Sequence, residues 1–427
     1  MKTSDLIAIE PFEIASIRPP TENQSLSFRV TRSCYWNKCN FCPVYKTIDS
    51  RSKRSLEEVK ADISNAKRID DLLFESGAVV FGSFSGYASL ASLIHEIKKA
   101  KNITGAETST KNTAKPDMDE RMQWFMSWFK DKPVLEDSLQ HVMAWRMGGG
   151  KTCFIGDADS LILRTDYLHE VMSHIKKNFP SLERFTVYGR SKTAAVRPLN
   201  ELKEFCNAGI HRVHFGLESG SDKVLTLMNK GVTSAEHIEG CLKIKDAGIS
   251  CSIYIMPGLG GSRLSQDHAY ETARVINAIE PDYVRLRTLE LFPMTPLMDM
   301  SKDGAFIEAS EEEVVHELKI LVENIKCDVE FLSDSATNLL DLFGPLPRNR
   351  NSMLSIINSY LALSPREKLE FSFSARLRSF MGQYGSLSDD IYMTLNPFIV
   401  GGALDIGIMS DSLITSTTAL IRSKLMP

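Results

Sequence analysis

From Thr152 to Leu289 the chain alternates short runs suited to strands with longer runs of helical period. Strand Thr152–Ile155 leads into Gly156-Asp157-Ala158-Asp159-Ser160, and a helix from Asp166 ends near Phe179-Pro180. Strand Phe185–Tyr188 precedes a helix near Leu199–Asn207, closed by Ala208-Gly209. Strand Arg212–Leu217 carries Glu218-Ser219-Gly220, and a helix over Ser234–Ala247 stops at Gly248. Strand Cys251–Met256 runs into Pro257-Gly258-Leu259-Gly260-Gly261, a helix follows to about Ala278, and strand Tyr283–Leu289 ends the series. Counting Ser27–Thr31 upstream, six strands are joined by helical crossovers. Repeated β–α units predict a parallel sheet, and right-handed crossovers curl it into a partial, TIM-like (β/α)6 barrel.

Strand phase predicts what each face meets. Phe28 and Val30 oppose Arg29 and Thr31; Phe185 and Val187 oppose Thr186, Tyr188 and Arg190. Val213, Phe215 and Leu217 oppose His214 and Glu218; Cys251, Ile253 and Ile255 oppose Ser252 and Tyr254; Val284 and Leu286 oppose Arg285 and Arg287. One face is apolar and suits the helices, and the other is polar and faces the lumen. Ordinary barrels fill the lumen with Val, Ile and Leu. A polar lumen implies water, ligand or buried ion pairs, unless the sheet has one face open to solvent.

Directly after the first strand comes Cys34-Tyr35-Trp36-Asn37-Lys38-Cys39-Asn40-Phe41-Cys42, a C-x4-C-x2-C loop with no further cysteine until Cys153. Closed zinc or iron–sulfur sites take four protein ligands. Three thiolates on one loop suit a cubane cluster with one open iron, which can chelate a small molecule through an amine and a carboxylate. The other reading is a zinc loop completed by a distant Cys or His, in a binding module with a protein or nucleic-acid partner. In barrels, sites lie just past the C-terminal ends of strands, where this loop falls.

The loop resembles that of the radical S-adenosylmethionine (radical SAM) superfamily. The usual spacing there is C-x3-C-x2-C, one residue shorter in the first gap, and Phe41 supplies the aromatic before the last cysteine. Phe215-Gly216-Leu217-Glu218-Ser219-Gly220-Ser221-Asp222 looks like the fourth-strand motif of the branch holding oxygen-independent coproporphyrinogen oxidase and Elongator-type enzymes. That branch often has a fourth cysteine after the loop; Pro43 and Val44 stand there, so porphyrinogen decarboxylation is not carried over. The chain is placed nearer to bacterial-type members with a Trp-Asn-Lys-Cys-x-Phe-Cys loop.

The resemblance covers roughly residues 26–290. It implies an oxygen-sensitive enzyme in which Cys34, Cys39 and Cys42 hold one 4Fe–4S cluster and the open iron chelates S-adenosylmethionine. Gly156, Asp157 and Asp159 take the place of the segment that meets the cofactor's amine, although the family's Gly-Gly-Glu form is absent. Glu218 would meet the ribose hydroxyls, the segment at Gly258 the adenine, and Arg190 the methionine carboxylate. Tyr188, His214, Tyr254, Arg285 and Arg287 are left as lumen candidates for a substrate. Excess lumen arginine predicts an anionic substrate, either a small molecule or a lipid-like or cofactor-like group. A flavodoxin- or ferredoxin-type protein would supply the electron.

Domains are expected as a lead-in over 1–25, the barrel over 26–296 with a mostly helical insertion at 71–150, and a helical C-terminal region over 297–427. Within the insertion, Val79–Gly82 suggests a short strand and Glu107–Asp119 a polar loop. Net charge is −4 with mixed signs, which argues against a general nucleic-acid or membrane-surface binder. No apolar run reaches membrane-spanning length and no signal-peptide core follows Met1, so a cytoplasmic location is the default. Cys153, Cys206, Cys241, Cys251 and Cys327 are isolated in sequence and read as buried small hydrophobes.

Overall fold

A computed structural model describes residues 3–15, 17–46, 52–77, 85–101, 119–127 and 132–426. Its centre is one eight-stranded sheet in sequential order: β1 (Leu26–Arg29), β2 (Thr152–Gly156), β3 (Arg184–Gly189), β4 (Arg212–Glu218), β5 (Ser250–Ile255), β6 (Tyr283–Leu286), β7 (Val329–Leu332) and β8 (Phe343–Leu346). β1 to β7 pair in parallel, and β8 returns antiparallel on β7. The six expected strands are therefore present and follow one another around the sheet, each reached by a helical crossover.

The last two strands come from the region expected to be helical. β7 and β8 have four residues each, and β8 contains Gly344-Pro345, which lowers strand propensity. Proline is tolerated there because β8 is an edge strand. Most of the rest of the C-terminal region is helical, with Pro365–Tyr384 and Glu311–Asn324 its longest pieces, and a small antiparallel pair joins Ile399–Val400 to Ala403–Leu404.

The expected phase is the one adopted. Phe28, Val30, Phe185, Val187, Val213, Phe215, Cys251, Ile253, Val284 and Leu286 all lie in the main apolar core with the surrounding helices. Local signals place those helices. Ser55 caps Leu56–Glu75 in a reciprocal capping box with Glu58, and Thr233 with Glu236 does the same for Ser234–Asp246. Leu72 and Leu73 carry the buried stripe of Leu56–Glu75 into its last turn.

The lead-in is more than a tether. Leu6, Ile9 and Phe12 join the main core, and a short turn over Pro20–Glu22 carries Glu22, fully buried, to the N-terminal end of the strands. In the insertion, helices Ser85–Ala100, Glu120–Ser127 and Leu135–Met147 are described; Val79–Gly82 and most of Glu107–Asp119 lie outside the described residues. Cys153, Cys241 and Cys251 are buried as expected, whereas Cys206 and Cys327 are half-buried at the core's edge.

Candidate active site

The cysteine loop is pinned to the C-terminal end of the short helix Asp222–Leu227 that follows β4. Asn40 N and Nδ2 donate to Met228 O (2.9 Å) and Leu227 O (2.8 Å), and Trp36 Nε1 donates to Asn229 O (2.8 Å). Leu297 N donates to Asn40 O at 3.0 Å, so the segment after β6 holds the loop's other side. Ser33 and Asn37 adopt positive φ, 70° and 41°, which turns the chain tightly at both places. Cys34 and Cys42 pack against a cluster that includes Val44, Tyr45 and Phe292, and so does Ala158, just past the end of β2. Phe41 packs instead with Met228, Met256, Leu259 and Leu289.

All three thiols are free. Burial pushes the Cys39 thiol up, opposed by the charges of Lys230 and Arg190, and burial pushes Cys42 up to about 11. The described residues hold no group of three or more His, Cys, Asp or Glu gathered closely enough for a single metal ion. A cluster in which each iron takes one thiolate spreads its cysteines more widely than one zinc does. Three free thiols on one short loop offer thiolates, the ligand type that holds iron–sulfur clusters.

At the end of β2 the two aspartates already have partners. Asp157 accepts from Arg29 Nη2 (2.8 Å) and from the Tyr45 hydroxyl. Asp159 accepts from Arg190 N (3.1 Å), Leu161 N (3.2 Å) and Thr193 Oγ1 (2.6 Å), and burial raises its pKa to about 6. Gly156 faces Ala15, with no room between them for a side chain. The Arg190 guanidinium lies over Tyr35 (5.0 Å) and Trp36 (5.1 Å), and its Nη2 donates to Lys230 O at 2.7 Å. Its Nη1 is buried without a partner.

The Glu218 motif divides into two jobs. Glu218 itself turns outward at φ 66°, where the register between β4 and β5 shifts, and its Oε1 meets Lys230 Nζ at 3.0 Å. The residues after it fasten helices. Ser219 Oγ bonds His268 Nδ1 (2.8 Å), Gly220 N donates to Thr272 Oγ1 (2.9 Å), and Asp222 accepts from Ser234 N (2.7 Å). Gly258, at φ 86°, donates its N–H to Glu317 Oε2 at 2.7 Å, which fixes the loop after β5.

Within the lumen the rings of Phe154, Tyr188, His214 and Tyr254 form a ladder with successive centroids 5.1, 6.0 and 6.0 Å apart. Burial holds His214 neutral, with a pKa near 4, and raises those of Tyr188 and Tyr254. The Tyr254 hydroxyl, both His214 ring nitrogens, Thr186 Oγ1 and Ser252 Oγ are buried without partners. Such atoms call for water or a polar ligand. His214 sits at the closed end, its Nε2 3.8 Å from Glu22 Oε1.

The lumen arginines do not share one fate. Arg29 pairs with Asp157, and Arg285, almost fully buried, pairs with Asp334 from the segment after β7. Arg287 stands one step beyond the end of β6, half-buried, and its charge acts on Cys42, Tyr188 and Tyr254. Among the described residues its guanidinium is in no ion pair.

Three parts of the site lay beyond sequence reasoning. Lys230 is twelve residues from Glu218 and carries no motif. Glu22 belongs to a lead-in with no periodicity. The insertion helix Glu120–Ser127 puts Met122, Phe125 and Met126 into the same apolar cluster as Cys34 and Cys42, and Arg121 there donates to Leu291 O and pairs with Glu290 (3.4 Å), which Arg422 also reaches (3.1 Å).

A family model described as the radical SAM superfamily matches residues 122–273, which take in β2 to β5 and begin after the cysteine loop. The tRNA uridine(34) acetyltransferase of Methanocaldococcus infernus is 28% identical over 116 residues, 27% of this chain and 22% of that protein. That of Methanocaldococcus jannaschii is 27% identical over 116 residues, 27% of this chain and 21% of that one. The chain thus spans about a fifth of the length of these curated relatives. Among solved structures, the archaeal Methanocaldococcus infernus Elp3 with an N-terminal deletion is similar at 17% identity and a TM-score of 0.37, over 49% of this chain and 53% of that chain. No helix among the described residues is long and apolar enough to cross a membrane.

Proposed function

We propose that this chain, which belongs to the radical SAM superfamily and is a radical SAM enzyme, holds its 4Fe–4S cluster through Cys34, Cys39 and Cys42 and acts on an anionic substrate at the mouth of the barrel. When bound, the cluster and S-adenosylmethionine would supply the one-electron chemistry that removes a hydrogen atom from the substrate. The protein's part is to bind, orient and exclude water. The backbone at 157–158 accepts from the cofactor's ammonium, and the unpartnered Nη1 of Arg190 meets its carboxylate. Glu218, oriented by Lys230, accepts from the ribose hydroxyls. The loop at Gly258, fixed by Glu317, would lie against the adenine. Arg287, whose charge bears on Tyr188 and Tyr254, takes the substrate's carboxylate or phosphate.

The observation that carries this reading is the meeting at the strand ends. Ala158 packs against the same apolar cluster as Cys34 and Cys42, while Lys230, paired with Glu218, lies 5.6 Å over the ring of Phe41 between Cys39 and Cys42. Residues from the ends of two strands thereby border one three-cysteine loop. The test is anaerobic purification and reconstitution, with iron and sulfide analysis and a dithionite-driven assay for 5′-deoxyadenosine. A brown protein that forms 5′-deoxyadenosine is expected. A colourless zinc protein that forms none would return the loop to the binding-module reading.

A second reading, a tRNA substrate, draws on the named relatives, which match over 116 residues. The acidic net charge of −4 weighs against it, since tRNA binding relies on surplus Lys and Arg. Adding tRNA to the same assay decides between them: stimulated 5′-deoxyadenosine formation favours tRNA, and stimulation by a fraction of small metabolites favours the first reading.

A further inference from the structure

The loops that follow β4 and β5 are both fastened to one face of the helix Gly261–Ile279. His268 and Thr272, one turn apart on that helix and both fully buried, reach them. His268 Nε2 lies 3.1 Å from Met256 O, at the end of β5. Its Nδ1 lies 2.8 Å from Ser219 Oγ, just past β4. A carbonyl oxygen only accepts, so Nε2 carries the ring proton. Nδ1 is then an acceptor, and the Ser219 hydroxyl donates to it. Ser219 Oγ in turn accepts from Ser221 N at 3.1 Å. Burial holds the ring neutral, with a pKa of about 4, which is the state this pattern requires. Thr272 Oγ1 accepts from Gly220 N at 2.9 Å.

These two loops carry Glu218 and Gly258. Glu218 stands at φ 66°, a conformation that a non-glycine residue keeps only where its surroundings impose it. Its carbonyl accepts from Met256 N at 2.9 Å, and the residue after it is the one His268 holds. The Gly258 side is equally tight. Glu317 Oε2, which accepts from Gly258 N at 2.7 Å, lies 4.0 Å from His268 Nε2. Glycines let both loops approach the helix. A side chain at Gly220 would overlap the backbone of Glu271 and Thr272, and one at Gly260 would meet Leu264 O and crowd His268. A second buried histidine shows the contrast. His237 bonds Ser191 after β3 at 2.6 Å, but its Nε2 has no partner. The His237 ring serves one strand-end loop, whereas the His268 ring joins two.

We propose that His268 is a positioning residue for the nucleoside half of S-adenosylmethionine. By bridging Ser219 and Met256 it sets the distance between Glu218, assigned to the ribose, and the Gly258 segment, assigned to the adenine. The methionine half is assigned elsewhere, to Arg190 and the backbone at 157–158, with which His268 shares no hydrogen bond. Loss of the bridge therefore weakens the nucleoside contacts and spares the methionine contacts. The inference rests on the cofactor assignment above.

The probes are S-adenosylmethionine and methionine, each titrated calorimetrically into anaerobic, reconstituted holoprotein. Iron analysis and the unfolding temperature of apoprotein accompany each variant. His268→Phe keeps a ring in place and removes both hydrogen bonds. It should keep its iron and its affinity for methionine. It should bind S-adenosylmethionine at least about ten-fold more weakly, the order expected for one or two lost hydrogen bonds. His268→Gln, whose amide carries both an acceptor and a donor, should recover most of that affinity. Unchanged S-adenosylmethionine affinity in His268→Phe overturns the proposal. So does an equal loss for both ligands that Gln does not repair, since that marks general damage to the fold. If His268→Phe does not fold, Ser219→Ala removes only the hydroxyl end of the bridge. That variant should weaken S-adenosylmethionine by about three-fold or more and leave methionine alone. No change, or an equal loss for both ligands, again overturns the proposal. If wild type holds no iron, or holds iron yet binds neither ligand, the cofactor assignment fails and this inference with it.

Discussion

Lys230 Nζ and Glu218 Oε1 stand 3.0 Å apart at the mouth of the barrel, and the carboxylate between them and β4 occupies the space that a side chain at Gly216 would fill. Glycine at 216 thus makes room for Glu218, and the positive φ of Glu218 aims it outward. Replacing Glu218 with Gln should weaken S-adenosylmethionine binding without loss of iron. A charged acceptor contributes about 1.5–3 kcal/mol, or roughly ten- to a hundred-fold in affinity. Gly216→Ala should give a similar loss by displacing the carboxylate. Calorimetric titration of both reconstituted variants checks this, and unchanged affinity in both returns Glu218 to a local ion pair with Lys230.

Replacing Cys34, Cys39 or Cys42 singly with Ala should remove most of the iron and sulfide while leaving the unfolding temperature of apoprotein nearly unchanged. Each is only partly buried on a surface loop. Cys251→Ala should do the reverse. It is fully buried in the main core, so truncation costs stability without touching the loop. Metal analysis beside thermal unfolding separates the two classes, and full iron content in all three loop variants would remove the ligand assignment.

The barrel was legible because its strands alternate on a two-residue period and its helices carry caps, as at Ser55 and Thr233. Those are local signals. The lumen arginines show where local reading stops. Phase places Arg29 and Arg285 on the lumen side, but their charges are met by Asp157 and Asp334, 128 and 49 residues away in sequence. No periodicity reports such a pairing. Arg285 is left to brace the barrel, and Arg287, the neighbour two residues on, remains the cation without an acid. β7 and β8 were hidden for another reason. Four-residue strands with Gly-Pro in one of them are set by the open edge of β6, to which β7 pairs, more than by their own propensity.

Glu317 should make stability fall with rising pH. Burial lifts its pKa to about 8, against the hydrogen bond from Gly258 N that favours the charged form. A carboxyl whose folded pKa is raised contributes stability fully below its unfolded value near 4.5, and that stability is lost as pH climbs through 8. The loss is on the order of a few kcal/mol. Glu317→Gln keeps an oxygen for Gly258 N–H and cannot ionise. It should therefore be more stable than wild type at pH 9 and close to it at pH 5. Denaturant unfolding of apoprotein across that range tests the claim, and parallel pH profiles for the two proteins would contradict it.

Arg285 and Arg287 differ by two positions and should differ in kind when each is replaced with Met. Arg285 is almost fully buried against Asp334, so Arg285→Met strands a carboxylate in the lumen wall. Breaking one side of a buried pair costs about 3–5 kcal/mol, and the variant should unfold at lower temperature or accumulate poorly. Arg287 is half-buried, pairs with no acid among the described residues, and bears on Tyr188, Tyr254 and Cys42. Arg287→Met should keep its unfolding temperature, its iron and its substrate-free cleavage of S-adenosylmethionine, yet fail to turn over substrate. Thermal unfolding, iron analysis and 5′-deoxyadenosine formation with and without a stimulating metabolite fraction separate the two. If Arg287→Met loses stability as Arg285→Met does, its charge is structural. If it is still stimulated by the fraction, the substrate's anion is held elsewhere.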